Sequence, residues 1–372
     1  MTGLRRDEFP ILHTSTYLCS HSLGAVPASA AEALATYHHE WATLGIRAWD
    51  GPWWAAVGAF GDSVAAIIGG APGSVVPMQN VTRGMAAVAS CFDYRGERNR
   101  VVMTDREFTT SYPFWRGQEE LGAQVVVVPP EELLDAIDER TLLVPTSHVY
   151  FRSGEIADLA AVVKRAHEQG AYCLGDGYQA AGTVDFDVAA MDIDFYVGGS
   201  HKWLCGGPGA GFLYVKPGLA ETLRPRLTGW FGLKNPFAYE LGTDRPAPAD
   251  GVMRFLGGTP NVPGLYAARE GIRIVSEVGL PAIRVAQRVL SERIVAGARE
   301  RGFEVKTPLD PERRSGMVCL DFSGAEAATE VLVGRGIIVD YRPDCGLRVS
   351  PHFYNDVGDV EVFFEGLDSA RV

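Results

Sequence analysis

The fold is decided by the stretch Ser200-His201-Lys202-Trp203, which follows an apolar segment at residues 195–198 and precedes the glycine-rich run Gly206-Gly207-Pro208-Gly209-Ala210-Gly211. The apolar segment predicts a buried strand, so Lys202 would project from the loop at the end of that strand. Most lysines are solvated surface residues. A lysine that is desolvated, or close to another cation, can instead act as an amine nucleophile toward an aldehyde. The histidine and tryptophan beside Lys202 would provide such surroundings.

A carboxylate follows an earlier apolar segment. Asp176 comes just after residues 171–174, which predict another strand. In open α/β sheets ligands bind at the carboxyl ends of strands, and a carboxylate there can pair with a protonated pyridine nitrogen. Gln179, about one turn further on, could contact the phenolic oxygen of the same ring. The two positions together favour a site containing an amine and a carboxylate over an exposed lysine.

Short β-branched runs alternate with amphipathic stretches, which is typical of a mostly parallel sheet with crossover helices. The predicted strands are residues 101–104, 124–128, 141–145, 171–174, 195–198 and 211–215, and the predicted helices are 84–91, 156–169 and 282–301. Prolines interrupt residues 216–263, and strands at 316–322 and 336–339 and a helix from Val357 are predicted beyond them. We therefore expect an α/β fold, in which a large domain with a mostly parallel sheet sandwiched by helices is joined to a smaller α/β C-terminal domain. We place an N-terminal segment that packs on both domains at residues 1–50, the large domain at 51–260 and the small domain at 261–372.

Composition excludes several classes of protein. The 372 residues are 47% hydrophobic and 22% charged, as in an ordinary globular enzyme, and the net charge of −12 lacks the basic footprint needed for nucleic acid or an anionic membrane. The six cysteines form no CxxC pair, so neither a metal site nor a disulfide framework is expected. With no apolar run of signal-peptide or membrane-span length, we expect a cytoplasmic protein.

Taken together, these residues resemble the aminotransferase class V family of pyridoxal 5'-phosphate (PLP) enzymes, which have fold-type I architecture. The resemblance extends from about Tyr17 to the C-terminus. It implies that Lys202 carries PLP as a Schiff base, that Asp176 pairs with the pyridine nitrogen and that Gln179 contacts the phenolic oxygen. It also implies that Ser200 and His201 contact the phosphate.

Three further segments share the resemblance. Asn80-Val81-Thr82-Arg83-Gly84-Met85 looks like the family's phosphate loop at a helix N-terminus, so Val81 and Thr82 would bind the phosphate, although an ordinary helix start is the alternative. Residues 105–115 match a loop whose aromatic residue stacks on the pyridine ring, which implies Phe108, with core packing as the alternative. Gly257-Gly258-Thr259-Pro260 is similar to a turn that reaches the cofactor phosphate of the neighbouring subunit. Thr259 therefore implies a homodimer with active sites at the interface.

Two segments imply which residues bind the substrate. Gly346-Leu347-Arg348-Val349-Ser350-Pro351-His352-Phe353-Tyr354-Asn355 looks like a family signature in which Arg348 holds the substrate α-carboxylate, a task that suits a planar bidentate donor. Residues 17–24 resemble the family's Asn-Ser-Leu-Gly segment with His21 in place of the asparagine, which puts His21 and Ser22 beside the substrate. His21 and Tyr112 are candidates for the polar groups that handle water or a leaving group.

Within the family, three features resemble kynureninases. They are residues 17–24, the spacing Trp41…Gly45…Trp49…Pro52-Trp53, and the run Thr228-Gly229-Trp230-Phe231-Gly232, where Trp230 would lie over the cofactor phosphate or pack in the core. Kynureninases place histidines where this chain has Trp49 and Leu233, and those histidines help to seat the arylketone substrate. We therefore expect a kynureninase-like hydrolase or lyase that cleaves on the β-carbon side of an α-amino acid whose β-substituent stays open.

Other chemistries compete with this interpretation. A class V aminotransferase, an epimerase and a cysteine-conjugate lyase all use the same residues. A desulfurase needs a mobile thiolate well ahead of the arginine, whereas Cys345 lies only three residues before Arg348 and is interpreted as structural. A degenerate PLP-fold binding protein would not need Lys202, Asp176 and Arg348 together. A nucleotide cradle at residues 206–211 lacks the Lys-Ser/Thr of a P-loop.

Overall fold

The computed structural model describes residues 3–239 and 246–370. Its α-helices are α1 (Ser29–Leu44), α2 (Pro52–Ile68), α3 (Val81–Ala89), α4 (Ser111–Gly117), α5 (Leu133–Ala136), α6 (Leu159–Glu168), α7 (Leu219–Thr222), α8 (Val262–Val278), α9 (Leu280–Glu300), α10 (Ala325–Gly334) and α11 (Val357–Ala370). Its strands are β1 (Thr16–Tyr17), β2 (Val75–Met78), β3 (Arg100–Thr104), β4 (Gln124–Val128), β5 (Thr141–Ser147), β6 (Tyr172–Asp176), β7 (Phe195–Gly199), β8 (Gly211–Val215), β9 (Glu304–Val305), β10 (Val318–Asp321), β11 (Ile337–Ile338), β12 (Asp340–Arg342) and β13 (Gly346–Val349).

The larger sheet of the described chain has seven strands in the order β2-β8-β7-β6-β5-β3-β4. Strands β3 to β7 run parallel, whereas β8 runs antiparallel to both of its neighbours. Every residue of β7 and β8 is buried, as expected of strands with both faces covered. Helices α2, α3, α5 and α6 pack on this sheet. The expected α/β architecture with a mostly parallel sheet is therefore confirmed.

The edge strand β2 was not predicted from the sequence, because its four residues include Pro77. A proline cannot donate to a strand ladder and reads as a break in a central strand. It is tolerated here because β2 lies at the edge of the sheet, where it pairs with β8 alone.

The C-terminal part forms a smaller antiparallel sheet in the order β12-β13-β10-β9, within the part of the chain that is described. An apolar cluster joins it to α9, α10 and α11, through residues such as Leu290, Leu320, Leu332 and Phe363. The short strand β1 pairs with β11, which ties the N-terminal segment to this region. The domain boundaries that we placed at residues 50 and 260 stay predictions.

The N-terminal segment also contacts the lysine loop. The backbone N–H of Gly24 donates to the carbonyl oxygen of His201 at 2.8 Å. A Cβ atom at position 24 would overlap the carbonyl oxygen of Lys202, so only glycine allows this close approach. None of the helices in residues 3–239 and 246–370 combines the length and the apolarity that crossing a bilayer requires.

Candidate active site

A cavity lies at the carboxyl ends of β5 and β6, beside the N-terminus of α3. Its accessible volume is about 130 Å³. The residues that line it are Asn80, Val81, Thr82, Phe108, Thr110, Ser147, Val149, Phe151, Asp176, Tyr178, Gln179 and Lys202. It therefore brings together the predicted lysine, carboxylate, amide, aromatic and helix N-terminus.

Lys202 is buried, with 7% of its surface exposed. Its Nζ lies 4.6 Å from the centre of the Tyr178 ring and 5.6 Å from that of Phe108. Burial lowers the pKa of Lys202 to about 8, since the attraction of Asp176 only partly opposes desolvation and Arg348 adds to it. A far larger fraction of this amine is therefore uncharged near neutral pH than of an ordinary lysine, as a nucleophile or a proton acceptor requires.

Asp176 ends β6 and faces the same cavity. Burial raises the pKa of this carboxyl, while a hydrogen bond from the backbone N–H of Tyr178, at 2.9 Å, and the charge of Lys202 lower it. Among the described residues, this N–H is the one hydrogen-bond donor to the carboxylate. Its other oxygen therefore keeps its full capacity to accept from a ligand in the cavity.

Gln179 is held in place from both sides. Its Nε2 donates to the carbonyl oxygen of His21 at 2.9 Å, and its Oε1 accepts from the indole Nε1 of Trp203 at 3.0 Å. Trp203 is fully buried. The amide therefore retains one N–H for a ligand oxygen, in agreement with the geometry expected of a contact to a phenolic oxygen.

The N-terminus of α3 forms another wall of the cavity. The side chain of Asn80 accepts from the backbone N–H of Arg83 at 3.0 Å and caps the helix. The backbone N–H groups of Val81 and Thr82 have no helical partner and lie at the positive end of the helix dipole. Such an end binds phosphate, and the phosphate contacts of Val81 and Thr82 stay predictions.

Ser200 and His201 stand beside the cavity without lining it. The hydroxyl of Ser200 donates to the carbonyl oxygen of Gly207 at 3.0 Å. Nδ1 of His201 lies 2.9 Å from the hydroxyl of Tyr178, whose ring covers the Lys202 amine. His201 therefore positions Tyr178, and direct phosphate contacts by Ser200 and His201 stay predictions.

Trp230 and Thr259 are not brought to this cavity by their own chain. Trp230 is 39% exposed and packs on Phe231, with ring centres 4.5 Å apart. Thr259 lines a separate depression together with Arg83 and Asn261. For Thr259 this agrees with the expectation that it serves a neighbouring subunit, which no contact in a single chain tests.

Arg348 is already paired within the protein. Its Nε and Nη2 donate to the two carboxylate oxygens of Asp340 at 2.8 and 2.6 Å, and its Nη1 donates to the carbonyl oxygen of Phe151 at 3.2 Å. Although burial raises it, the hydrogen bonds from His21 and Arg348 hold the pKa of Asp340 well below its ordinary value. The sequence analysis missed Asp340. Asp340 and Arg348 are direct partners on the antiparallel strands β12 and β13, so Asp340 could have been found only from the register of these two strands.

His21 is committed at both ring nitrogens. Nε2 lies 2.8 Å from Oδ1 of Asp340, and Nδ1 is hydrogen-bonded to the hydroxyl of Ser350. Burial lowers the pKa of His21 to about 4, despite the nearby carboxylate. The ring is therefore neutral, donates to Asp340 and accepts from Ser350.

Ser22 and Tyr112 are the remaining two candidates from the sequence. Ser22 is half-buried, and its backbone N–H donates to the carbonyl oxygen of Cys19 at 3.0 Å. The hydroxyl of Tyr112 lies 3.4 Å from the carbonyl oxygen of Thr104, and burial raises its pKa. Tyr112 therefore keeps acceptor capacity that His21 lacks.

Glu107 was also missed as a site residue. It is buried beneath Ser147, whose backbone N–H and hydroxyl both donate to its Oε2 at 2.7 and 2.5 Å, while Thr104 donates to its Oε1 at 2.6 Å. Burial raises the pKa of Glu107 to about 7 against these hydrogen bonds. The charge of Asp176 raises it further.

This raised pKa predicts a pH-dependent stability. Between about pH 4.5 and 7 the folded protein holds a proton that the unfolded chain releases, so the free energy of unfolding falls as the pH rises through that window. The fall would be at most about 3 kcal/mol. In Glu107→Gln this slope should flatten, which urea unfolding at several pH values measures. Exposed Glu97→Gln is the matched control, and parallel pH slopes for the wild type and Glu107→Gln would contradict the assignment.

Comparisons with known proteins identify the family and the fold. The aminotransferase class-V family model matches residues 16–363. A kynureninase from Pseudomonas fluorescens is 30% identical over 353 residues, which cover 91% of this chain and 84% of that protein. The uncharacterized aminotransferase YcbU from Bacillus subtilis (strain 168) is 28% identical over 358 residues, covering 94% and 93%. In structure, the cystine C-S lyase C-DES, in complex with its product cysteine persulfide, has a TM-score of 0.87 at 20% identity, covering 96% of this chain and 98% of that one.

Proposed function

This chain belongs to the aminotransferase class-V family, and we propose that it is a kynureninase-like hydrolase or lyase that cleaves the side chain of an α-amino acid on the β-carbon side. Membership of the family makes it a PLP-dependent enzyme of fold type I that acts on amino acids. The type of reaction and the residue roles given below belong to the proposal.

The observation that carries the proposal is that a buried amine with a lowered pKa and a buried carboxylate face one cavity. Lys202 would hold the aldehyde carbon of PLP, and Asp176 would pair with its pyridine nitrogen. Phe108, which lines the cavity, would pack on the ring, and the free N–H groups of Val81 and Thr82 would bind the phosphate. When bound, PLP stabilises negative charge at the α-carbon of an amino acid.

The chain's own residues then decide which bond breaks. Lys202, with a pKa of about 8, can take a proton from the α-carbon side and return it later. Asp176 would keep the pyridine nitrogen protonated. His21 cannot act as a base, because both of its ring nitrogens are committed, so we assign it an orienting role. Tyr112 is the better candidate for handling water or a leaving group.

Desulfurase chemistry through a protein thiol is disfavoured. None of the six cysteines is exposed, and burial raises the pKa of every one of their thiols. Cys345 is fully buried, so it cannot act as the mobile thiolate that such an enzyme needs.

A second candidate is elimination from an S-substituted cysteine, which requires no protein thiol. The surroundings of Trp49 favour it over an arylketone. Trp49 replaces one of the histidines that seat the arylketone in kynureninases, and its ring packs 5.1 Å from that of Trp53 and 5.8 Å from that of Phe231. Leu233 replaces the other histidine.

We further propose that the protein acts as a homodimer in which Thr259 of each subunit serves the other subunit's cofactor. Thr259 lies outside its own chain's cavity but in a depression that also contains Arg83 of helix α3, whose N-terminus faces the cavity. The placement agrees with an exchange of residues between subunits.

A substrate panel separates the candidates. Holoenzyme is incubated with L-kynurenine, an S-aryl-L-cysteine, L-cysteine, and L-alanine with a 2-oxo acid. We expect alanine with an aryl acid, or pyruvate with ammonia and a thiol, from the β-substituted substrates. Amino-group transfer as the sole activity would overturn the cleavage assignment. The Lys202→Ala protein serves as the blank.

A further inference from the structure

Two arginines contact Phe151, a residue that lines the cavity. Phe151 lines the cavity, and its carbonyl oxygen accepts from Nη1 of Arg348 at 3.2 Å. The guanidinium carbon of Arg152 lies 5.4 Å from the centre of the Phe151 ring. Burial raises the pKa of the Cys345 thiol, and the charges of Arg348 and Arg152 both oppose that rise. Both arginines therefore lie next to Phe151, Arg348 at its backbone and Arg152 at its ring.

The charge of Arg348 is largely balanced before any substrate arrives. Its guanidinium forms a two-point pair with Asp340, and three of its five N–H groups are donated within the protein. An approaching carboxylate would therefore meet a guanidinium with two N–H groups left, whose charge is offset by Asp340, an aspartate that also pairs with the exposed Arg342 at 3.2 Å. Asp340 accepts from His21 as well, so it is fixed in this arrangement.

Arg152 has the opposite character. It is exposed, and within residues 3–239 and 246–370 it makes no hydrogen bond and no ion pair. Nearby Arg106 and Arg313, by contrast, both pair with Glu155. An arginine held over an aromatic ring keeps its planar donors free for a ligand.

We propose that Arg152 is a substrate-binding residue that completes the α-carboxylate site together with the two remaining N–H groups of Arg348. A carboxylate has about four lone-pair positions, so it can accept from both guanidiniums. Arg152 supplies the net positive charge that Asp340 removes from Arg348. The inference rests on the proposed function, because it assigns the site's substrate as an amino acid with a free carboxylate.

The test compares two amines that differ in the carboxylate alone. Holoenzyme is titrated with L-alanine and with ethylamine, and the change in visible absorption gives an apparent Kd for each. In Arg152→Gln the preference for L-alanine should shrink by about tenfold, while the Kd for ethylamine stays unchanged. Arg152→Lys should retain part of the preference, since it keeps the charge without the fork.

Arg106→Gln is the matched control, because it removes the same charge from a neighbouring exposed site and should leave the preference intact. An equal preference in the wild type and in Arg152→Gln would overturn the inference. The proposed function fails separately, if the wild-type protein binds L-alanine with this preference but cleaves no β-substituted amino acid. Melting temperatures of the variants confirm that each one is folded.

Discussion

Lys202→Ala is expected to abolish covalent attachment of PLP and to lower turnover by roughly three to four orders of magnitude. The amine is buried and carries a pKa lowered to about 8, so no solvated lysine can replace it. Loss of visible absorption at the wild-type wavelength measures the first effect. Borohydride reduction of the wild type, followed by peptide mass spectrometry, should find the reduced cofactor on Lys202.

Lys164→Ala is the control for this prediction. Lys164 lies exposed on α6, away from the cavity, and its loss should leave attachment and turnover unchanged. A small primary amine added to Lys202→Ala should restore part of the activity, because it can return the lost proton-transfer group. Cofactor fixed to a different lysine after reduction would contradict the assignment of Lys202.

The position of Lys202 could be predicted from the sequence alone. The strands on either side of the Lys202 loop carry clear apolar runs, so residues 195–198 and 211–215 predict β7 and β8 closely. The position of Asp176 follows from β6 in the same way. These are local patterns, and the sheet's parallel order then brings the carboxyl ends of β5, β6 and β7 to one edge.

What the sequence could not predict depends on contacts between distant segments. The bidentate pair of Arg348 with Asp340 requires the register of β12 against β13, which no periodicity reveals. The hydrogen bond from Trp203 to Gln179 joins two loops whose relative orientation is fixed only by packing. The burial of Glu107 under Ser147 likewise requires the fold.

These contacts also change how the site is understood. A free Arg348 fork would bind an α-carboxylate alone, whereas the pair with Asp340 leaves its charge balanced. His21 loses its role as a base for the same reason, because Asp340 and Ser350 hold both of its ring nitrogens. Asp340 thus changes the roles that we assign to both Arg348 and His21.

Asp176→Asn is expected to keep the cofactor attached while slowing α-proton removal by about two to four orders of magnitude. An amide cannot keep the pyridine nitrogen protonated, so the ring loses its capacity as an electron sink. The replacement retains the acceptor for the Tyr178 N–H, so the local structure should survive. Exchange of the α-proton of L-alanine in deuterated water, followed by NMR, measures the effect directly.

The pH profile adds an independent measure of the same substitution. The charge of Asp176 raises the pKa of Lys202 against the larger effect of burial. Its removal should therefore move the pKa of Lys202 below about 8, and the alkaline optimum of proton exchange should shift to lower pH. Exposed Asp135→Asn removes the same charge at a distance and should cause neither change. An unaltered exchange rate in Asp176→Asn would contradict this role of Asp176. It would show that a different group pairs with the pyridine nitrogen.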